Sequence, residues 1–334
     1  MYDACMSVES SSAVILSLSG STLSEAERAF FKQANPLGFI LFARNCETPD
    51  QVRALTDSLR ETVGRECPIL IDQEGGRVQR LKPPHWRQYP PMKLFGDQIE
   101  DEGEAQALDS LRFTIMQIAE ELKDCGVSVD CAPVLDVLFP ETHDVIGDRA
   151  FSSDPAIVAR LGLSVCRNFL AAGVTPVIKH LPGHGRATAD SHKDLPVVTT
   201  ALEDLEQTDF LPFRTVAADP CARGVWGMMA HVVYSAIDPA LPASVSPRVI
   251  ADTIRGSIGF DGFLLGDDLD MEALSGLGPI EARVQATLEA GCDAALYCAG
   301  KLPVMEKIAE SVPKLSEKAR RRLQNAAEFT KIAA

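Results

Sequence analysis

The sequence predicts a single (β/α)8 barrel over residues 1–334, with an extra helix at the C-terminal end. Three observations predict it. Eight short, β-rich apolar runs recur along the chain. Most are continuously apolar rather than alternating, as parallel strands covered on both faces must be. Amphipathic stretches with helical spacing separate them, which is the βαβα order of a parallel sheet. The competing architecture, an open doubly wound sheet, usually has fewer strands and a GxGxxG opening its first helix; that motif is absent here.

The runs, in order, are VILSLSG (14–20), GFILFA (38–43), PILIDQ (68–73) and VSVDCAPV (127–134). TPVIKH (175–180), GVWGMMAHV (224–232), GFLLGDD (262–268) and DAALYC (293–298) follow. The stretches between them carry helix punctuation. Thr48 with Pro49, and Asp154 with Pro155, are cap-and-first-turn pairs. Gly173 and Gly291 stand where helices should stop before a strand. ALEDLEQTDFLPFRTVAA and SPRVIADTIRGSI each read as one helix, and KLSEKARRRLQNAAEFTKIA as a last helix packed outside the barrel. No linker, repeat or low-complexity segment marks a second domain.

With 46% hydrophobic and 24% charged residues, the chain can bury a sizeable core. A net charge of −15 disfavours nucleic acid, whose phosphates need a basic surface, and anionic membranes as well. A small anionic substrate stays possible, because a basic pocket can sit within an acidic protein. AVILSL near the start is too short for a signal core, and no segment reaches about 18 uninterrupted apolar residues. The expected setting is cytoplasmic. Nine scattered cysteines without a CxxC pair fit that, as small buried residues. Nothing in the pattern specifies an oligomeric state.

In such a barrel, chemistry sits at the C-terminal ends of the strands. Polar residues collect there: Asp72, Gln73 and Glu74, then Asp136, Lys179, His180, His231, Asp267 and Asp268. A charge ending a buried strand costs desolvation unless it is paired or used. Asp267, after FLLG, should point into the barrel mouth as a nucleophile or electrostatic stabiliser; the plainer reading is a helix cap, a role that suits Asp268. In DQEGGRVQRL, two glycines turn the chain so that Asp72 and Arg80 can face one cavity. Carboxylate and guanidinium together suit a polyol, or else they merely tie the loop. Arg149 arrives from the next loop, and by itself reads as a surface arginine.

KHLPGHGRATADSHKDL (179–195) holds three of the six histidines. Lys179 and His180 should be fixed at a strand end, and the segment 183–193 should be a mobile loop. Asp190 and His192, two apart, can form a proton-transfer dyad. A metal held by His180, His184 and His192 is the alternative. Their spacing matches no standard zinc motif and the first strand has no HxH, so no metal is expected. His184, between glycines, reads as structural. Cys131 lies beside the candidates, but nothing near it in sequence supplies a base.

LIDQEGGRVQRL, KHLPGHG, ADSHKDLP, MAHVVY followed by PASVS, and GDDLDM occur in the order found in glycoside hydrolase family 3. As a set they resemble that family's bacterial single-domain β-N-acetylglucosaminidases. The resemblance implies retaining hydrolysis of terminal β-linked N-acetylglucosamine, as in recycling of cell-wall muropeptide fragments, without a cofactor. It implies Asp267 as nucleophile and His192 as acid/base assisted by Asp190, a departure from the paired carboxylates of most glycosidases. Asp72, Arg80, Arg149, Lys179 and His180 match its sugar-binding positions. GDDLDM stands where a serine-led SDDLSM is usual, and Leu181 where phenylalanine is common; neither removes one of these groups. Two alternatives stand beside this reading. Phosphate could replace water, since an imidazole acid/base does not repel it. A sugar-binding scaffold that had lost catalysis would lack Asp267 or His192, and both are present.

Overall fold

The computed structural model describes residues 8, 10–191 and 194–333. Each of the eight apolar runs supplies one strand: β1 (Ser12–Leu16), β2 (Pro36–Leu41), β3 (Ile69–Ile71) and β4 (Val129–Asp130), then β5 (Thr175–Leu181), β6 (Trp226–Met229), β7 (Phe263–Asp268) and β8 (Ala294–Tyr297). They pair in parallel in chain order, and β8 closes on β1.

The two-residue period sorts each strand into two cores. Ile15, Ile40, Leu70, Val129, Val177, Trp226, Met228, Phe263, Leu265 and Leu296 fill the barrel. Their neighbours Leu16, Phe39, Leu41, Ile69, Ile71, Ile178, Leu264 and Tyr297 pack outward against the helices. Burial on both faces is why the runs read as continuously apolar.

The expected caps are present. Thr48 accepts from the Gln51 N–H and Asp154 from the Ala156 N–H, each ahead of a proline. Gly291 ends its helix in the left-handed region at φ 114°. Two of the predicted helices differ from expectation. The stretch from 201 to 218 is two helices, Leu202–Gln207 and Leu211–Ala218, because Pro212 starts a new first turn and Asp209 turns inward to Arg186. Val249–Ser257 is wound more widely than an α-helix, with Ile258 N–H donating to the Thr253 carbonyl at 2.8 Å.

The last helix, Glu317–Ala333, lies outside the barrel as expected, across one end of it. Ala319 and Ala326, with Leu315 before them, join the interior core, so the helix plugs the N-terminal end. Arg322, 5% exposed, enters with them and donates to Asp293 at 2.9 Å and Asp261 at 3.1 Å, just ahead of β8 and β7. The interior's apolar residues would otherwise meet water at that end. Among the described residues, no helix is long and apolar enough to cross a membrane.

Candidate active site

Inward parity holds through the last residues of the strands, and one residue beyond β3, and decides which polar groups meet. Asp72 follows Leu70 by two residues, Lys179 follows Val177, and Asp267 follows Leu265; all three leave the interior face at the same end. Lys179 Nζ donates to Asp72 Oδ1 at 2.8 Å, and Arg80 Nη2 to Asp72 Oδ2 at 3.0 Å. Gln73 holds Arg80 in place, since its side-chain oxygen accepts from the Arg80 and Leu81 amides at 2.8 and 3.0 Å. Gly75 makes this turn possible: at φ 91°, a Cβ would lie 2.5 Å from the Pro90 carbonyl oxygen.

Behind Asp72 lies Glu74, which the sequence reading left without a role. It accepts two bonds from Arg149, both 2.8 Å, and lies 2.6 Å from Lys179 Nζ. Burial works to raise the pKa of both carboxyls, but the cations outweigh it. Glu74 is held at about 2, and Asp72 well below the usual carboxylate range. Glu74 and Lys179 are closed off at 2% and 3% side-chain exposure, whereas Asp72 and Arg80 keep 15% and 27%. The pair open to a ligand thus rests on a closed ionic base. Asp130 lies nearby, fully buried, and its Oδ1 accepts from the Gln73 amide at 3.0 Å. Burial pushes its carboxyl up to about 8.

Asp136 organises the second group. Its Oδ1 accepts from the backbone amides of His180 and His184 at 3.2 and 2.6 Å, and its Oδ2 lies 2.7 Å from His180 Nδ1. An ionised carboxylate only accepts, so His180 carries its proton on Nδ1 and, when neutral, presents Nε2 as an acceptor. Burial raises the Asp136 carboxyl, but His180 chiefly holds it at about 2. The Lys179–His180 peptide is cis.

The expected mobile loop is fixed over its first half. Tyr234 donates its hydroxyl to the Gly183 carbonyl and Thr142 its own to that of Gly185, both at 2.5 Å. Arg186 donates to Asp209 at 2.7 Å and lies 3.8 Å over the Phe139 ring. His184 is buried, as a structural reading requires, and its Nε2 lies 3.2 Å from Ser191 Oγ. Burial, followed by His180, lowers its imidazole to about 4.

The loop then crosses to the nucleophile candidate's side, where the Ser191 carbonyl accepts from the Ala273 amide at 3.3 Å, six residues beyond Asp267. Asp190 therefore opens at the same end of the barrel as Asp267. His192 lies outside the described residues. Among those residues, no group of three metal-ligating side chains occurs.

Asp267 Oδ1 accepts from the Asp268 amide at 2.8 Å. Asp268 takes the supporting place: its Oδ1 accepts from the Cys298 and Asp270 amides at 3.0 and 3.2 Å, tying β7's end to β8. Burial, aided by Asp267, pushes Asp268 up to about 6.

The structure thus gathers Asp72, Arg80, Arg149, Lys179, His180, Asp190 and Asp267 around one mouth. Glu74 and Asp136 were visible as strand-end carboxylates. What could have singled out Glu74 was its spacing from Asp72, two residues along a turn that returns to the cavity.

The chain matches the family model described as "Glycosyl hydrolase family 3 N terminal domain" over residues 9–330. A protein named Beta-hexosaminidase from Alkalilimnicola ehrlichii is 42% identical over 286 residues, 85% of this chain and 80% of that protein. One of the same name from Nitrosomonas eutropha is 40% identical over 285 residues, again 85% and 80%. NagZ from Neisseria gonorrhoeae, solved with N-trifluoroacetyl-D-glucosamine, aligns with a TM-score of 0.85 at 30% identity, covering 96% of this chain and 93% of that one. A family 3 β-N-acetylglucosaminidase from Paenibacillus sp. aligns with a TM-score of 0.83 at 30% identity over 100% of this chain, which spans 62% of that longer one. Matched over almost its whole length, and carrying the motif set read above, the chain belongs to glycoside hydrolase family 3.

Proposed function

We propose that this protein is a retaining exo-β-N-acetylhexosaminidase that removes terminal β-linked N-acetylglucosamine, with cell-wall muropeptide fragments as substrates in peptidoglycan recycling. The observation that carries the reading is convergence: Asp267, the Asp72–Arg80–Lys179 cluster and the Asp190–Ser191 segment share one end of the barrel. The relatives named Beta-hexosaminidase and the neighbour holding an N-acylglucosamine analogue support the sugar.

In this mechanism Asp72 accepts from sugar hydroxyls while Arg80 and Lys179 donate to them. His180, its Nδ1–H committed to Asp136, accepts through Nε2, and Arg149 stays anchored on Glu74. The Asp267 carboxylate attacks the anomeric carbon as the glycosidic C–O bond breaks, and the departing oxygen takes a proton from His192. Asp190 stabilises the imidazolium in its charged form. Water then gives a proton to His192 and attacks the same carbon, releasing Asp267. The chain's own groups balance both steps without a cofactor. A reducing, cytoplasmic setting suits the eight described cysteines, all free thiols.

Proton NMR of early turnover tests the proposal. A β-N-acetylglucosaminide should yield the β-anomer of the free sugar first, at a rate indifferent to added phosphate. First appearance of the α-anomer, or of a sugar phosphate, would overturn it.

A further inference from the structure

The β6–β7 ladder stops at the Met229–Gly266 pair, so Asp267 lies one residue beyond the last partner. On the β8 side the chain above that point is held by the Leu269 amide on the Leu296 carbonyl at 2.9 Å, and by the Cys298 amide on Asp268 at 3.0 Å. On the β6 side a side chain does the work of the missing ladder. His231, 1% exposed, places Nε2 3.0 Å from the Asp268 carbonyl oxygen. Its Nδ1 lies 2.7 Å from Ser244 Oγ.

A carbonyl only accepts, so Nε2 bears the proton and a neutral ring receives the Ser244 hydroxyl proton at Nδ1. Ser244 is fixed in turn. Its amide donates to the Ala230 carbonyl at 3.1 Å, and the amide of Ala243 to that of Val232 at 2.8 Å. The whole strap is buried. The Asp267 carboxylate, for its part, accepts from the Asp268 amide, so its direction follows the backbone that His231 holds.

We propose that His231, oriented by Ser244, is a positioning residue that aims the Asp267 carboxylate at the anomeric carbon. This rests on the reading of Asp267 as nucleophile. The alternative, a histidine that merely satisfies buried polar groups, predicts a different pattern of kinetics. A positioning role acts on the bond-forming step, where a displacement of about 1 Å can cost around a hundredfold. It leaves sugar affinity alone, because Asp72, Arg80 and Lys179 belong to other strands.

The test is covalent trapping by a mechanism-based fluorinated N-acetylglucosaminyl fluoride, with the trapping rate at saturation and the half-saturating concentration measured separately. His231→Gln keeps an N–H donor near the position of Nε2 and should trap within about threefold of the unaltered protein. His231→Leu should trap about a hundredfold more slowly with its half-saturating concentration within about threefold, and Ser244→Ala about tenfold more slowly. Wild-type trapping by His231→Leu, or a Gln variant no better than the Leu variant, would overturn the positioning role. Where His231→Leu does not fold, Ser244→Ala decides, and an unchanged rate there refutes the proposal. Asp267→Asn is run alongside. Trapping by that variant would sink the nucleophile assignment, whereas a dead Asp267→Asn beside a fully active His231→Leu sinks only the role of His231.

Discussion

Replacing Glu74 by glutamine keeps the side chain's volume and removes its charge. In the native site Glu74 takes two bonds from Arg149 at 2.8 Å and faces Lys179 Nζ at 2.6 Å, all but closed to water. A glutamine keeps one accepting oxygen and turns an amide NH2 toward one of the cations. Breaking a buried pair commonly costs about 3–5 kcal/mol. Asp72 stays on Lys179, so the lower end of that range, about 3 kcal/mol, is expected. The carboxyl's pKa points the same way, held at about 2 by Arg149 and Lys179 against its burial. For 334 residues, with an unfolding entropy of roughly 0.7 kcal/mol/K, a loss of about 3 kcal/mol is a fall in Tm of about 4 °C.

The pH dependence has a definite sign. The unfolded carboxyl takes up a proton first as pH falls, so Glu74's contribution is complete above about pH 4.5 and fades toward about pH 2. The variant should lack that part of the acid destabilisation. Freed from Glu74, Lys179 and Arg149 lose their aim, and KM should rise about tenfold, equivalent to 1.4 kcal/mol. Urea unfolding at pH 7 and pH 4 with steady-state kinetics reads all three. A stability change under about 1 kcal/mol with an unchanged KM would refute the closed ionic base.

Asp130→Asn should behave oppositely with pH. The folded carboxyl, pushed up to about 8, binds a proton that the unfolded one has released above its ordinary 3.8, so native stability falls as pH rises between those values. The variant should gain on the native protein between pH 5 and pH 8 in urea melts; a constant difference would contradict this. Arg322→Ala strips the C-terminal plug of its links to Asp293 and Asp261, with Arg255 left on Asp293 at 3.2 Å. A loss of about 3 kcal/mol is expected, without change in KM; a loss confined to KM would argue against a plug. His192→Ala should slow turnover about 10²–10⁴-fold for poor leaving groups and far less for good ones, and equal slowing for both would remove His192 from proton transfer.

The barrel was legible because its physics is local. Each strand is buried on both faces, so each announces itself as an apolar run, and the polar residues that end the runs mark the mouth. Asp72, Lys179 and Asp267 were readable because each stands at the C-terminal end of an apolar run, on the strand's inward face. Glu74 and Asp136 were harder. Their role is to hold Arg149, Lys179 and His180, and such a role exists only once segments far apart in sequence meet. Which part of the barrel the C-terminal helix covers was not legible for a similar reason. The small apolar residues Ala319 and Ala326, with Leu315 just ahead of the helix, state that one face is covered, and only the closed barrel shows that the cover is the open bottom. The loop at 183–193 read as mobile from its glycines and polar residues. The contacts that fix Gly183, Gly185 and Arg186 come from Tyr234, Thr142 and Asp209, which local composition does not reveal.

The position at which the sugar becomes attached tests Asp267 as nucleophile most directly. Incubation with the fluorinated N-acetylglucosaminyl fluoride, followed by digestion and tandem mass spectrometry, reads that site. A single N-acetylhexosamine-derived adduct should appear on the carboxylate of Asp267. Attachment at Asp268 or elsewhere, or rapid turnover of β-N-acetylglucosaminides by Asp267→Asn, would contradict it.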